Sequence, residues 1–164
     1  MLPAIVIAVH SFMPDAKITS AQVKGNVAVV SFSHGKIEGV DRSGKLLLRH
    51  YVFGWQAVSM AGSKEAFNAA DLHDTGESAD VESIRRKMAD KYHSHEIIGP
   101  VHVVRDYAIA NWWGIGGGQA LFRKVGSGWT VVTAGGGALG MSDLRRYGVP
   151  GDVASEILHA EAQR

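Results

Sequence analysis

Apolar and polar positions along this chain mostly alternate with a period of two, and in a few stretches they switch to a period near 3.6. The clearest helical stretch starts at Asp80, where Val81, Ile84, Met88 and Tyr92 recur at helical spacing and Arg85, Arg86, Lys87, Asp90 and Lys91 fall on the other side. Asp80 is placed to cap this helix, and Gly99-Pro100 reads as its stop. Strand-like runs follow near Val101 to Arg105, Tyr107 to Trp113, Gln119 to Val125 and Trp129 to Thr133, separated by Asp, Gly-rich and Gly-Ser-Gly breaks. An earlier set covers Ile18 to Val23, Val27 to Ser33, Lys45 to Phe53 and Trp55 to Met60. Leu2 to Val9 is apolar but too short to span a bilayer, and Pro3 suits the first turn of a helix. It reads as a buried element of the fold or as the remnant of a longer precursor.

The two sets of strands are copies of one another. Val27-Ala28-Val29-Val30-Ser31-Phe32 returns as Tyr107-Ala108-Ile109-Ala110-Asn111-Trp112, and Leu47-Leu48-Arg49 returns as Leu121-Phe122-Arg123. Gly54-Trp55-Gln56-Ala57-Val58 matches Gly128-Trp129-Thr130-Val131-Val132. Asp71-Leu72, Gly76, Asp80-Val81 and Ser83 then align with Asp143-Leu144, Gly148, Asp152-Val153 and Ser155. The first copy needs only a longer loop after Phe32 and a slightly longer one after Trp55. An internal repeat dictates architecture before any other consideration. The chain therefore reads as helix plus four-stranded meander, twice, with a closing helix from Asp152. It is a single domain of two repeats, about 1–79 and 80–164, that share one core.

Connections this short suit antiparallel pairing, so the fold class is α+β, with helices on one face of antiparallel sheet. The element order resembles the cystatin-like half-fold, and the tandem arrangement is similar to that of β-lactamase inhibitory protein. One feature strains that picture. Tyr107, Ile109, Asn111 and Trp113 share one strand face while Ala108, Ala110 and Trp112 share the other, so both faces are partly apolar. A sheet covered on one side only would solvate its second face. Either the chain's own loops and terminal helix cover that face, or a protein partner or second copy does. Trp112, Trp113 and Arg123 are the candidates for partner contact.

Composition removes several function classes. The 164 residues hold 17 Lys plus Arg against 16 Asp plus Glu, without a run of either sign, so the clustered base of a nucleic-acid footprint is missing. There is no cysteine, which excludes disulfides, thiolate metal sites and thiol catalysis. No basic residue precedes the apolar N-terminus and no small-x-small cleavage site closes it, so it is a poor secretory signal.

The apparent motifs do not support catalysis. Gly114-Ile115-Gly116-Gly117-Gly118-Gln119 precedes a strand and has Gln119 where a dinucleotide loop needs glycine, so it reads as a hairpin loop. Gly135-Gly136-Gly137 lacks a phosphate-binding lysine, and Gly126-Ser127-Gly128 only bridges two strands. No catalytic constellation emerges. His93, His95 and His102 are the candidate metal ligands, since imidazole suits Cu(II). Residues two apart on a helix do not face each other, so His93 and His95 could chelate jointly only where the helix frays. Asp71-Leu72-His73-Asp74 does not repeat as a ligand set, because Arg145 and Arg146 replace His73 and Asp74.

The run Trp113-Gly114-x-Gly116-Gly117-Gly118-Gln119-Ala120-Leu121-Phe122-Arg123-Lys124 continues as Gly128-Trp129-Thr130-Val131-Val132, Gly135-Gly136-Gly137-Ala138-Leu139, Asp143-Leu144 and Gly148-Val149-Pro150. Over about residues 98–160 it resembles a poorly characterised bacterial family, some members of which are labelled copper uptake system-associated proteins. The resemblance implies a bacterial, exported protein with a copper connection, and it supplies no catalytic residues to carry over. From the residues themselves, the chain reads as a non-enzymatic binding or interaction domain without a cofactor. The alternatives are a periplasmic copper-associated accessory protein, and a small-molecule-binding protein or hydrolase with a pocket between helix and sheet.

Overall fold

A computed structural model describes residues 2–34, 36–37, 40–41, 43–69, 72, 77–92, 97–114 and 116–163. The chain divides into two compact units, Met1–Gly76 with Tyr92–Ile97, and Glu77–Lys91 with Ile98–Arg164. Each is an antiparallel four-stranded meander with helices against it, so the fold is an α+β tandem repeat.

The first unit opens with α1 (Leu2–Phe12), followed by β1 (Lys17–Lys24) and β2 (Val27–Ser33). A two-stranded ribbon of β3 (Lys36–Ile37) and β4 (Val40–Asp41) fills the longer connection after Phe32, and β5 (Gly44–Tyr51) and β6 (Gly54–Gly62) complete the sheet in the order β1-β2-β5-β6. The apolar N-terminus is a helix with Pro3 in its first turn, and it lays Ile5 and Val9 on Ala28, Val30, Phe32, Leu46, Leu48 and Ala57. Burial of Ile5 and Val9 is complete, whereas Ile7 on the outer side of the same helix is exposed. Val27, Leu47, Tyr51 and Val58 form a separate cluster.

The second unit comprises α2 (Ala79–Tyr92), β7 (Ile97–Val104), β8 (Tyr107–Gly114), β9 (Gly116–Val125), β10 (Gly128–Gly136), α3 (Met141–Arg146) and α4 (Gly151–Ala162). Its sheet order is β10-β9-β8-β7. The chain itself covers the face that bears Tyr107, Ile109 and Leu121, because Leu144 of α3 and Val153, Ala154 and Ile157 of α4 pack into one cluster with them. On the opposite face Ala108, Ala110, Ala120 and Phe122 are fully buried. That face takes a contact from α2, whose Asp80 accepts hydrogen bonds from Lys124 Nζ and Trp129 Nε1, each at 2.9 Å. The Lys124 bond, and after it the Trp129 bond, hold the Asp80 carboxyl below the ordinary carboxylate range.

The repeat extends to register. Phe32 pairs with Gly44 and Gly44 with Gly62, just as Trp112 pairs with Gly118 and Gly118 with Gly136. The ladder slips at the same place in both copies, between Leu47 and Leu48 in one and opposite Leu121 and Phe122 in the other, so Val58 and Val132 are the extra residues of equivalent bulges. The turns correspond as well. Gly25 at φ 59° and Arg105 at φ 53° hold the same left-handed position, which glycine occupies without penalty and arginine does not. Trp55 and Trp129 are each the second residue of their strand, paired with His50 and Lys124. Their surroundings differ: Trp129 is buried, while Trp55 is half-buried and meets the His50 ring edge-on at 5.1 Å.

Four sequence expectations change. Gly99-Pro100 does not stop the helix but lies within β7, an edge strand, where proline is tolerated. A Cβ at Gly99 would collide with the Trp113 ring, which explains the glycine. The cap of α2 is Ser78, whose Oγ accepts from the Val81 N–H at 3.3 Å, since Asp80 is committed to the sheet. Arg85 is buried rather than solvated: Nε and Nη2 fork onto Glu77 at 2.6 and 2.8 Å, and Nη1 donates to the Ile98 carbonyl at 2.7 Å. A fully hydrogen-bonded pair of this kind lets a guanidinium enter a core. The alignment of Asp80 with Asp152 also holds only locally. Both stand in the first turn of a helix, but α2 and α4 meet opposite faces of the second sheet.

Replacing Trp129 by Ala should cost about 3–5 kcal/mol in denaturant melting, as for other large core aromatics, and Trp55→Ala should cost less. Because the folded-state pKa of Asp80 is depressed, its contribution is fully present above the ordinary carboxylate value and is lost as pH falls from there through the lower folded-state pKa. Asp80→Asn should therefore flatten the loss of stability below about pH 4, measured by melts from neutral pH down through that range.

Candidate functional site

Asn111 and Gln119 face each other across β8 and β9, on the face that α4 covers. Two amides at inward strand positions, 5% and 7% exposed, must be satisfied where they stand. Glu161 in the last turn of α4 does this. Its Oε1 accepts from Asn111 Nδ2 at 2.9 Å and its Oε2 from Gln119 Nε2 at 2.8 Å, while His102 Nε2 lies 3.1 Å from Oε1. A carboxylate is disfavoured at a helix C-terminus by the dipole, and these donors offset that cost. The network continues outward. Gln119 also donates to Asn111 Oδ1 at 2.9 Å, Asn111 donates to the Pro100 carbonyl at 3.1 Å, and Gln119 Oε1 accepts from the Leu139 N–H at 2.6 Å.

Above this floor lies an open groove of about 430 Å³, walled by Trp112, Trp113, Leu139, Leu158 and Ala138. Glycines set its shape. A Cβ at Gly118 would stand 2.6 Å from Trp112 Cζ2 and would overlap the Gly135 carbonyl oxygen. The Gly137 N–H donates to the Gly117 carbonyl at 3.1 Å, which ties the strand end after β10 to β9. The glycine run does form a hairpin, and the ladder continues through it as far as the Gly114 to Gly116 pair.

The residues expected to bind a partner do not converge. Trp112 is 6% exposed and lies against Gly118, whereas Trp113 is 42% exposed and lines the groove. Arg123 is exposed beside Tyr107, its guanidinium 5.9 Å from the ring centroid. Tyr107 pairs with Arg123 and Trp113 with Gly117, which puts Arg123 about 20 Å along β9 from the position of Trp113 at about 3.3 Å per residue. Of the candidate metal ligands, His93 and His95 lie outside the described residues, and His102 belongs to the Glu161 network. Among the described residues no group of three or more His, Asp or Glu side chains could hold a metal ion. No helix among them is long and apolar enough to cross a membrane. Sequence reasoning missed Asn111, Gln119 and Glu161 as a unit. The available signal was Asn111, a polar residue at an inward position in an otherwise apolar alternation.

Truncating Glu161 to Ala strands the Asn111 and Gln119 donors and should cost about 1–3 kcal/mol, the price of a buried group left unsatisfied. Glu161→Gln keeps an acceptor and should cost less, which thermal melts of both variants would check. Comparison of the chain with models of protein families, with curated proteins and with solved structures finds no match in any of the three.

Proposed function

We propose that this chain is a non-enzymatic binding domain that holds a small molecule in the groove between α4 and the β8–β9 end of its second sheet. The observation that carries this reading is the combination of an exposed tryptophan wall with a polar floor whose groups are already committed to one another. Ligand sites are typically concave and mostly apolar, with a few fixed polar groups that orient the ligand. Asn111, Gln119 and Glu161 are locked by mutual hydrogen bonds, which suits orientation better than proton transfer. A protein partner would meet the groove rim at Trp113, since α3 and α4 occupy the neighbouring sheet face. The resemblance to copper uptake system-associated proteins supports a periplasmic copper accessory role as the alternative. A stoichiometric copper-binding step abolished by His93→Ala and His95→Ala would favour it.

A library of small aromatic and aliphatic fragments, screened by amide chemical shifts, should perturb Gly117, Gly118 and Gly137. Trp113→Ala should remove those shifts while leaving the fold intact. Hits that instead move Tyr107 and Arg123, or hits indifferent to Trp113→Ala, would contradict the assignment.

A further inference from the structure

The two amides on the floor of the groove in the second unit have committed all their donors. A primary amide carries two N–H hydrogens. Those of Asn111 go to the Pro100 carbonyl at 3.1 Å and to Glu161 Oε1 at 2.9 Å, and those of Gln119 go to Asn111 Oδ1 at 2.9 Å and to Glu161 Oε2 at 2.8 Å. Two backbone donors at the rim are committed in the same way, the Leu139 N–H to Gln119 Oε1 and the Gly137 N–H to the Gly117 carbonyl. What the floor presents to a ligand is therefore oxygen. Gln119 Oε1 accepts one bond, from Leu139, where an amide oxygen has two lone pairs. Glu161 adds a carboxylate charge to the lining. A ligand matched to this floor donates hydrogen bonds and is not an anion.

Trp113 supplies the other half of the chemistry. Its six-membered ring lies against Gly99 of β7, where a Cβ would collide with Cζ3 and Cη2, yet the residue is 42% exposed and lines the groove. The indole is thus backed by a strand on one side and open to a ligand on the other. The face of such a ring is the negative side of its quadrupole, so it attracts C–H groups polarised by neighbouring oxygens. Leu139, Leu158 and Ala162 extend the apolar lining. A neutral pyranose ring meets both demands at once, with hydroxyl donors around its rim and C–H groups on its faces. Because the groove is open, hydroxyls that do not reach the floor keep their water, and the cost of burying them unpaired does not arise.

We infer that this groove takes a neutral saccharide, with a pyranose face on Trp113 and hydroxyl groups donating to the floor oxygens. The inference rests on the binding role proposed for the groove and adds a ligand class to it. The probe is methyl β-glucopyranoside, titrated into the intact chain at neutral pH and followed by amide chemical shifts. Two comparators isolate the two demands: methyl β-glucuronide places a carboxylate on the same ring, and cyclohexanol keeps the ring size with a single hydroxyl. The glucoside should move Gly117, Gly118 and Gly137, and nuclear Overhauser contacts should join the Trp113 ring to its C–H hydrogens. Both comparators should bind more weakly, the glucuronide by about two- to fivefold, the range for charges near the surface. Trp113→Ala should remove the shifts. Ala162→Phe, which fills the groove from an exposed position on α4, should remove them with the tryptophan wall intact, so the result does not depend on one variant's folding. A glucuronide that binds as tightly as the glucoside, cyclohexanol that binds more tightly, or glucoside shifts that survive either variant would overturn the saccharide assignment. No glucoside shifts, with small fragments still moving Gly117 and Gly118, would overturn it as well and leave the proposed binding role standing. Silence with both the glucoside and the fragments would overturn both.

Discussion

An aromatic ring lying across a glycine on the neighbouring strand is the contact on which both halves of this protein depend. Phe32 lies on Gly44 and Trp112 on Gly118, and in each case a carbonyl from the third strand closes the space a side chain would need. Such a contact helps to fix register. A slip by one residue would turn every inward residue outward, and it would drive Ser43 or Lys45 into the Phe32 ring, or Gln119 into the Trp112 ring. The equivalent bulges at Val58 and Val132 follow on the next pair, β5 with β6 and β9 with β10, so the local twist is reproduced in both copies.

The two copies have diverged in what surrounds this frame. In the first, α1 and the ring of Phe32 enclose a cluster built almost wholly of aliphatic side chains. In the second, buried polar groups are admitted twice, and each time the pairing is thorough. Arg85 is bound by Glu77 and the Ile98 carbonyl, and both oxygens of Glu161 accept from the Asn111 and Gln119 amides. Networks of this kind are costly when incomplete and rigid when complete, which makes them suited to holding the floor of a site. Asp80 contributes in a different way, tying the first turn of α2 to Lys124 and Trp129 at the far edge of the same sheet.

Much of the fold was legible because strand alternation and internal repetition are local signals. The eight long strands, the helix from residue 79 and the closing helix all follow from them, and so does the equivalence of Trp55 and Trp129. What escaped depends on tertiary partners. Arg85 falls on the polar side of the helix by periodicity, and only the positions of Glu77 and Ile98 make its burial possible. Gly99-Pro100 has the composition of a breaker, yet the bulk of Trp113 and the edge position of β7 in its sheet give both residues a place in the strand. The candidate site was harder still. Asn111, Gln119 and Glu161 are far apart along the chain, and each alone has an ordinary reading as a strand or helix residue. Trp113 was identified, but Arg123 was grouped with it although it stands at the other end of the strand.

The most direct measurement is the stability of Gly44→Ala and Gly118→Ala beside Gly135→Ala, a strand glycine whose Cβ would enter open space. Where the backbone permits it, glycine to alanine ordinarily stabilises a protein by about 0.4–1 kcal/mol. If the ring-on-glycine contact governs both sheets, Gly44→Ala and Gly118→Ala should each lose about 1–3 kcal/mol, as overpacked sites do, while Gly135→Ala stays neutral or gains. Two of these variants melting at or above the temperature of the parent chain, with Gly44→Ala and Gly118→Ala the pair that does so, would contradict the account.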